Sequence, residues 1–222
     1  MLLFVNLNHS VMKKLFFIIG FIIYSFVAYS QPNKFLEKEI KETDIIYNKP
    51  KGFIEVYPDT SYFPMYYFAP LLPSGVLLYE IKSIKYGTSV SVGIINLRRI
   101  KEFYKNAQTK HHFSSSVIPD YNTDYLRHPH PMVDSINTKV YYFSDSYSLK
   151  KWNAQKAIQY KIDLLKSNKR LMYRNKYDSC NIIVIHKDDC ADIVLYYWFN
   201  KKAASVLKLV IEQTIGMFQF KN

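Results

Sequence analysis

The chain has 222 residues, of which 49% are hydrophobic and 17% aromatic, and this composition excludes an intrinsically disordered protein. It carries 30 basic and 18 acidic side chains, for a formal net charge of +12. The lysines are scattered rather than grouped in blocks, so the sequence favours an envelope protein or an anionic polymer as partner and not nucleic acid. A bias towards residues supplied by AT-rich codons explains the charge equally well.

The segment from Met12 to Gln31, "MKKLFFIIGFIIYSFVAYSQ", has the three parts of a secretory signal peptide. Two lysines precede an apolar run over 15–27, and Ala28 and Ser30 supply the small residues that a signal peptidase reads. The run is shorter than the roughly 20 residues of a membrane-spanning helix. We therefore expect residues 1–30 to be a signal peptide with a misassigned start, the true start being Met12, and 31–222 to be one domain. The predicted location is periplasmic or secreted, with no membrane span after cleavage.

In chain order, the pattern of residues 33–43 predicts a short charged helix. The pattern of residues 52–58 predicts a strand with Ile54 and Val56 on one face. Alternating runs at 74–84 and 89–96 flank a turn at 86–88, which indicates a β-hairpin. Helical spacing then begins after Asn96, a suitable N-cap. Residues 109–137 show no period and are interpreted as a long loop.

Strands are predicted again at 138–143, 157–165, 170–175, 181–186 and 191–199, the last two apolar on both faces as in central strands. A helix capped by Asn200 and a last edge strand at 217–220 follow. Strands joined mostly by hairpins, with helices inserted, predict an α+β fold. We expect a single domain with a largely antiparallel β-sheet flanked by helices.

The order from about residue 138 onward resembles that of the PsbP-like family and its DcrB-like relatives. A strand leads to "LKKWNAQKAIQYKIDLL", and then come "CNIIVIH", "ADIVLYYWF", a helix and "GMFQF". The earlier "GFIEVYP" is similar to the first strand and proline turn of those domains. The resemblance implies an antiparallel sheet between helices and a function in binding and assembly, mostly without catalysis. It supplies no functional residue.

The stretch "LRHPHPMVD", which includes His128 and His130, raises the question of a metal site. Two histidines at this spacing can point to one side of an extended segment. Pro129 and Pro131, however, favour an exposed, stiff segment, and the pattern matches no metal-binding spacing. We interpret it as a structural loop, and we predict no metal, no cofactor and no catalytic residue.

An aromatic run between prolines, "YPDTSYFPMYYFAPLLP", is the candidate binding segment. Exposed rings there would form an apolar patch of the kind that marks binding sites. The alternative is a loop that buries its rings in the core. The candidate binding residues are Tyr62, Phe63, Tyr66 and Tyr67.

Cys180 and Cys190 are the only cysteines. If 187–189 form a hairpin turn, the strand between the two thiols separates them by far more than the roughly 7 Å that a disulfide allows. We therefore expect no intramolecular bridge. A nucleophilic pair of either cysteine with His186 is disfavoured against a packed histidine.

These observations predict an exported, non-enzymatic binding or assembly protein of the bacterial envelope. Two alternatives remain at this point. One is a metal-assisted hydrolase that uses the His-rich loop at 109–134. The other is a periplasmic immunity-type inhibitor that captures a toxin.

Export is directly testable, because a cleaved signal peptide leaves a defined terminus. N-terminal sequencing of the protein recovered from the periplasm or medium should begin at or next to Gln31. Recovery of the chain in membranes with Met12 still at its terminus would contradict a cleaved signal.

Overall fold

Nine strands and four α-helices lie in the parts of the chain that the computed structural model describes, which are residues 32–56, 79–111, 139–163 and 177–222. The helices are α1 (Pro32–Glu42), α2 (Leu97–His111), α3 (Ser146–Trp152) and α4 (Leu207–Thr214), and a 3₁₀ helix (Lys201–Val206) precedes α4. The strands are β1 (Ile45–Tyr47), β2 (Phe53–Val56), β3 (Tyr79–Ser83), β4 (Ser89–Asn96), β5 (Val140–Tyr142), β6 (Lys156–Asp163), β7 (Ser179–Lys187), β8 (Ala191–Phe199) and β9 (Phe218–Phe220).

Seven of these strands form one sheet in the order β2-β3-β4-β8-β7-β6-β5, and every neighbouring pair is antiparallel. The predicted α+β fold with a largely antiparallel sheet in a single domain is confirmed. The strand predicted at 217–220 also exists, but β9 pairs with β1 in a separate two-stranded sheet. Strand β1 was not predicted, because its three residues are too few to show a period.

The predicted hairpins close through residues that tolerate positive φ. Gly87, between β3 and β4, has φ +62°, a conformation that costs glycine little. Asp189, in the turn between β7 and β8, has φ +53°, which aspartate adopts more readily than most residues. The Cys190 N–H donates to the Lys187 carbonyl at 3.1 Å and closes that turn.

One face of the large sheet forms the main core. Its buried side chains include Ile81, Val92, Ile183, Ile193 and Leu195. Trp152 of α3, Val210 of α4 and the aromatic rings of β9 belong to the same buried cluster. Leu36 of α1 belongs to it as well, so three of the helices and the small sheet pack on this face.

The other face of the sheet is buried as well. Successive strand residues point to opposite faces, so Tyr160, Ile182, Val184, Val194 and Tyr196 lie on this second face, and each is at most 6% exposed. The prediction that β7 and β8 are central strands covered on both sides is confirmed.

Two predicted helices differ in extent from their patterns. Asn96 does cap α2, since its Oδ1 accepts from the Arg99 N–H at 3.0 Å, but the helix continues to His111. Residues 109–111, predicted as the start of a loop, are therefore helical, because no glycine or proline ends the helix before them. The segment after Asn200 begins as a 3₁₀ helix, and the Asn200 side chain makes no capping hydrogen bond.

Ion pairs join the first two helices. Glu39 of α1 is buried, and its carboxylate accepts from the Arg99 guanidinium of α2 at 2.7 Å. Arg99 also pairs with Glu42, while the neighbouring Arg98 contacts Asp44 at 2.9 Å. A buried carboxylate requires such a partner, so this contact positions α1 against α2.

Candidate binding surface

The residues predicted from the aromatic run, Tyr62, Phe63, Tyr66 and Tyr67, lie outside the described residues, as does the predicted signal peptide. The histidines of "RHPHP" also lie outside them. The strand predicted at 170–175 lies outside the described residues too. The site must therefore be built from other side chains.

His186 is a buried titratable group with a carboxylate at each ring nitrogen. It lies at the end of β7, is fully buried, and is held between two carboxylates of the β7–β8 hairpin. Its Nδ1 lies 2.5 Å from Asp192 Oδ1, and its Nε2 lies 2.8 Å from Asp188 Oδ1. The packed hairpin histidine expected from the sequence is confirmed, but its second carboxylate partner, Asp192 in β8, was not predicted.

The carboxylates decide the charge of this imidazole. Burial lowers the pKa of His186, but the hydrogen bonds and charges of Asp192 and Asp188 outweigh it, so the net pKa is raised above its ordinary value. Lys156 lies opposite His186 on β6. His186 and its two carboxylates thus form a structural ion pair, in which each ring nitrogen contacts a carboxylate oxygen.

Neither cysteine forms a disulfide or a thiol–imidazole pair, as expected. Cys180 and Cys190 are both free and buried. Burial raises the pKa of the Cys180 thiol, which opposes thiolate formation. Cys190 Sγ donates to the Thr43 carbonyl at 3.1 Å and so joins the hairpin turn to the end of α1.

A row of polar side chains crosses the second face of the sheet. The Ser89 hydroxyl donates to the buried carboxylate of Glu80, and Trp198 Nε1 donates to Ser91 Oγ at 2.9 Å. The ring of Trp198 stacks on that of Tyr196 at a centroid distance of 5.9 Å. These hydrogen bonds offset the cost of burying polar groups, so the row specifies how the strands align.

A cluster of exposed aromatic side chains lies at the β5 end of the sheet. Tyr141 and Tyr142 are 54% and 65% exposed, Tyr147 in the first turn of α3 is 72% exposed, and Val140 is also exposed. A partly buried neighbour, Phe143, attaches this segment to the core. Phe143 packs against Trp152, their ring centroids 5.3 Å apart.

Lysines accompany these rings. Lys139 Nζ lies 5.1 Å from the centre of the Tyr141 ring, and Lys151 Nζ lies 6.0 Å from that of Tyr147, both within cation–π range. We call this surface, made of Lys139, Val140, Tyr141, Tyr142, Tyr147 and Lys151, the tyrosine edge. It presents apolar rings and positive charge together, a combination suited to binding an anionic partner.

Charge is unbalanced around the tyrosine edge. Residues 139–163 contain five lysines and two aspartates. One of those aspartates, Asp145, caps α3 by accepting from the Ser148 N–H at 2.7 Å, which lowers its pKa. Local charge is therefore positive, like that of the whole chain.

Neither a metal cluster nor a membrane helix is found in the described part of the chain. No three His, Cys, Asp or Glu side chains there are grouped to hold a metal ion. None of the described helices combines the length and apolarity needed to cross a membrane.

Comparisons with known proteins assign no family to this chain. No protein-family model matches it, and no curated protein matches it at a significant level.

The His186 ion pair predicts a particular dependence of stability on pH. Because its folded-state pKa is raised, the pair stabilises fully below the unfolded value of about 6.5 and is lost as pH rises through the folded value. In urea unfolding at a series of pH values, the stability of the wild type relative to His186→Gln should fall as pH rises above about 6.5. The loss should be about 1.4 kcal/mol per unit of raised pKa.

Asp192→Asn is the matched control, because it removes the partner that contributes most to raising the pKa. In that background the difference between His186 and Gln should depend much less on pH. A wild-type advantage over His186→Gln that grows with pH would contradict the ion pair.

Proposed function

We propose that this chain is an exported, non-enzymatic binding protein of the bacterial envelope, and that the tyrosine edge binds an anionic macromolecule. One observation carries the proposal. Three tyrosines within seven residues, Tyr141, Tyr142 and Tyr147, are each more than half exposed, and two of them have a lysine ammonium over the ring.

The exposure of these rings contrasts with the other aromatic side chains of the sheet. Tyr160, Tyr196, Tyr197 and Trp198 are all buried. Tyrosine gives a binding surface a large rigid contact area and a polar tip, and binding energy is usually concentrated in a few such residues. A surface that leaves three rings in water is therefore better explained by a partner than by packing within the chain.

The non-enzymatic part of the proposal is supported by the engagement of the reactive side chains. His186 is held between carboxylates, and the pKa of each cysteine thiol is raised by burial. The hydrolase alternative depends on residues outside the described ones, apart from 109–111, which are helical. The resemblance to PsbP-like and DcrB-like proteins supports binding and assembly and stays a proposal.

Two anionic probes test the binding role. One is a ten-residue peptide of alternating Glu and Val, and the other is a polyuronate oligomer, an anionic glycan. Whichever of the two probes the wild type binds more tightly, the double variant Tyr142→Ala, Tyr147→Ala should bind it at least tenfold more weakly than the wild type does. The reason is that a binding-site aromatic is worth about 2 kcal/mol. Calorimetry or fluorescence anisotropy gives the affinity.

Ile84→Ala is the matched control, because Ile84 is 69% exposed but lies in the β3–β4 turn. It should leave both affinities unchanged, and all these variants should unfold within about 0.5 kcal/mol of the wild type. Equal binding of wild type and double variant to both probes would refute the proposed surface.

A further inference from the structure

The backbone of β5 determines what form of partner the tyrosine edge accepts. In the large sheet β5 is the last strand, and β6 is its one neighbour among the described strands. An edge strand presents N–H and C=O groups on its outer side, and these can pair with a further extended chain.

The register shows which groups face outward. Val140 pairs with Tyr160, Tyr141 with Gln159 and Tyr142 with Ile158. The Phe143 N–H donates to the Ala157 carbonyl at 3.0 Å, so Phe143 and Ala157 form a hydrogen-bonded pair of the ladder. Hydrogen-bonded and non-hydrogen-bonded pairs alternate in an antiparallel ladder. The backbone groups of Tyr141 therefore point to β6, while those of Val140 and Tyr142 point away from the sheet.

The side chains and the backbone of β5 both fit a ligand in the extended conformation of a β-strand. A strand added beside β5 would form hydrogen-bonded pairs with Val140 and Tyr142. Its side chains would alternate between the two faces, next to Tyr142 on one face and Tyr141 on the other. An extended peptide can therefore use the outward backbone groups, in a continued ladder, and the rings at the same time.

The added strand could come from a second copy of this chain or from an acidic segment of another protein, and the charge of the edge favours the acidic segment. The register, continued by one residue, places Lys139 opposite Lys161, and both are exposed. Like charges opposite each other repel, and a nearby anion relieves the repulsion. A second copy of this chain would bring the same lysines and a further positive charge, whereas an acidic segment would be attracted.

We propose that the tyrosine edge binds an extended acidic segment of a partner protein by strand addition to β5. This inference rests on the proposed function and specifies its partner. The peptide supplies backbone groups to Val140 and Tyr142 and carboxylates to the lysines. An anionic glycan lacks the backbone amides, so it can contact the rings and lysines but cannot continue the strand ladder.

Val140→Pro separates the two modes of binding. Proline removes the outward N–H at Val140, leaves the β6 hydrogen bonds in place, and is tolerated where the N–H of an edge strand faces outward. All three tyrosines and all lysines remain. The variant should bind the Glu–Val peptide at least tenfold more weakly and the polyuronate within twofold of the wild type. Val140→Ala, which keeps the N–H, should bind the peptide within about threefold.

A modified peptide provides the same test without changing the protein. The Glu–Val peptide N-methylated at four consecutive central residues keeps its charges and side chains but cannot form a strand ladder. It should bind the wild type at least tenfold more weakly than the unmodified peptide. Circular dichroism of Val140→Pro checks that the sheet is intact, and the N-methylated peptide decides the question if it is not.

The outcomes distinguish the two proposals. If peptide affinity is unchanged both by Val140→Pro and by N-methylation, while the tyrosine double variant loses binding, strand addition is wrong and the tyrosine edge stands. If only the polyuronate binds, and the tyrosine variant loses it, the partner is an anionic glycan and the acidic strand is wrong. If the tyrosine variant changes neither affinity, both proposals fail.

Discussion

Strand β8 is the constraint on which the rest of the structure depends. All nine of its residues are buried, and it is hydrogen-bonded to β4 on one side and to β7 on the other. A buried strand cannot leave its N–H and C=O groups without partners, so the registers of its neighbours are determined along its length. The register of β7 in turn positions β6, and β6 positions β5. The outward direction of Val140 and Tyr142 thus follows from pairings that begin in the centre of the sheet.

This dependence separates the chemistry of the interior from that of the edge. The interior holds its titratable groups in fixed pairs, such as His186 with Asp192 and Glu80 with Ser89. Such pairs specify alignment, because a shift of one residue would turn each side chain to the wrong face. At β5 the same alternation operates with only one neighbouring strand among the described residues, and there it exposes rings, lysines and backbone groups together. A function in binding at this edge requires no movement of the core.

Much of this fold could be predicted from the sequence, for identifiable reasons. The β3–β4 and β7–β8 hairpins show either clear alternation or a long apolar run with a polar turn, and these patterns are local. The α2 cap at Asn96 was predictable for the same reason. Strand β1 was missed because "IIY" is too short for a period and pairs with β9, more than 170 residues further along the chain.

The candidate surface was less predictable. The pattern "TKVYYF" predicts a strand but not its position in the sheet, because so short an apolar run does not show whether one face or both faces are covered. Whether Tyr141 and Tyr142 are exposed depends on the strand order, which arises from distant pairings. The second carboxylate at His186 was missed for a local reason. The hairpin turn lies at 188–190, one residue later than predicted, and this register places Asp192 opposite His186. The aromatic run with Tyr62, Phe63, Tyr66 and Tyr67 stays a prediction, because it lies outside the described residues.

Amide hydrogen exchange along β5 tests the central claim most directly, because it reads the direction of each N–H. In the free protein the amides of Tyr141 and Phe143 should exchange slowly, while those of Val140 and Tyr142 should exchange quickly. Saturating Glu–Val peptide should slow exchange at Val140 and Tyr142 by at least tenfold and leave Tyr141 nearly unchanged. Bound peptide with no added protection at Val140 and Tyr142, or with equal protection of all four amides, would contradict strand addition at this edge.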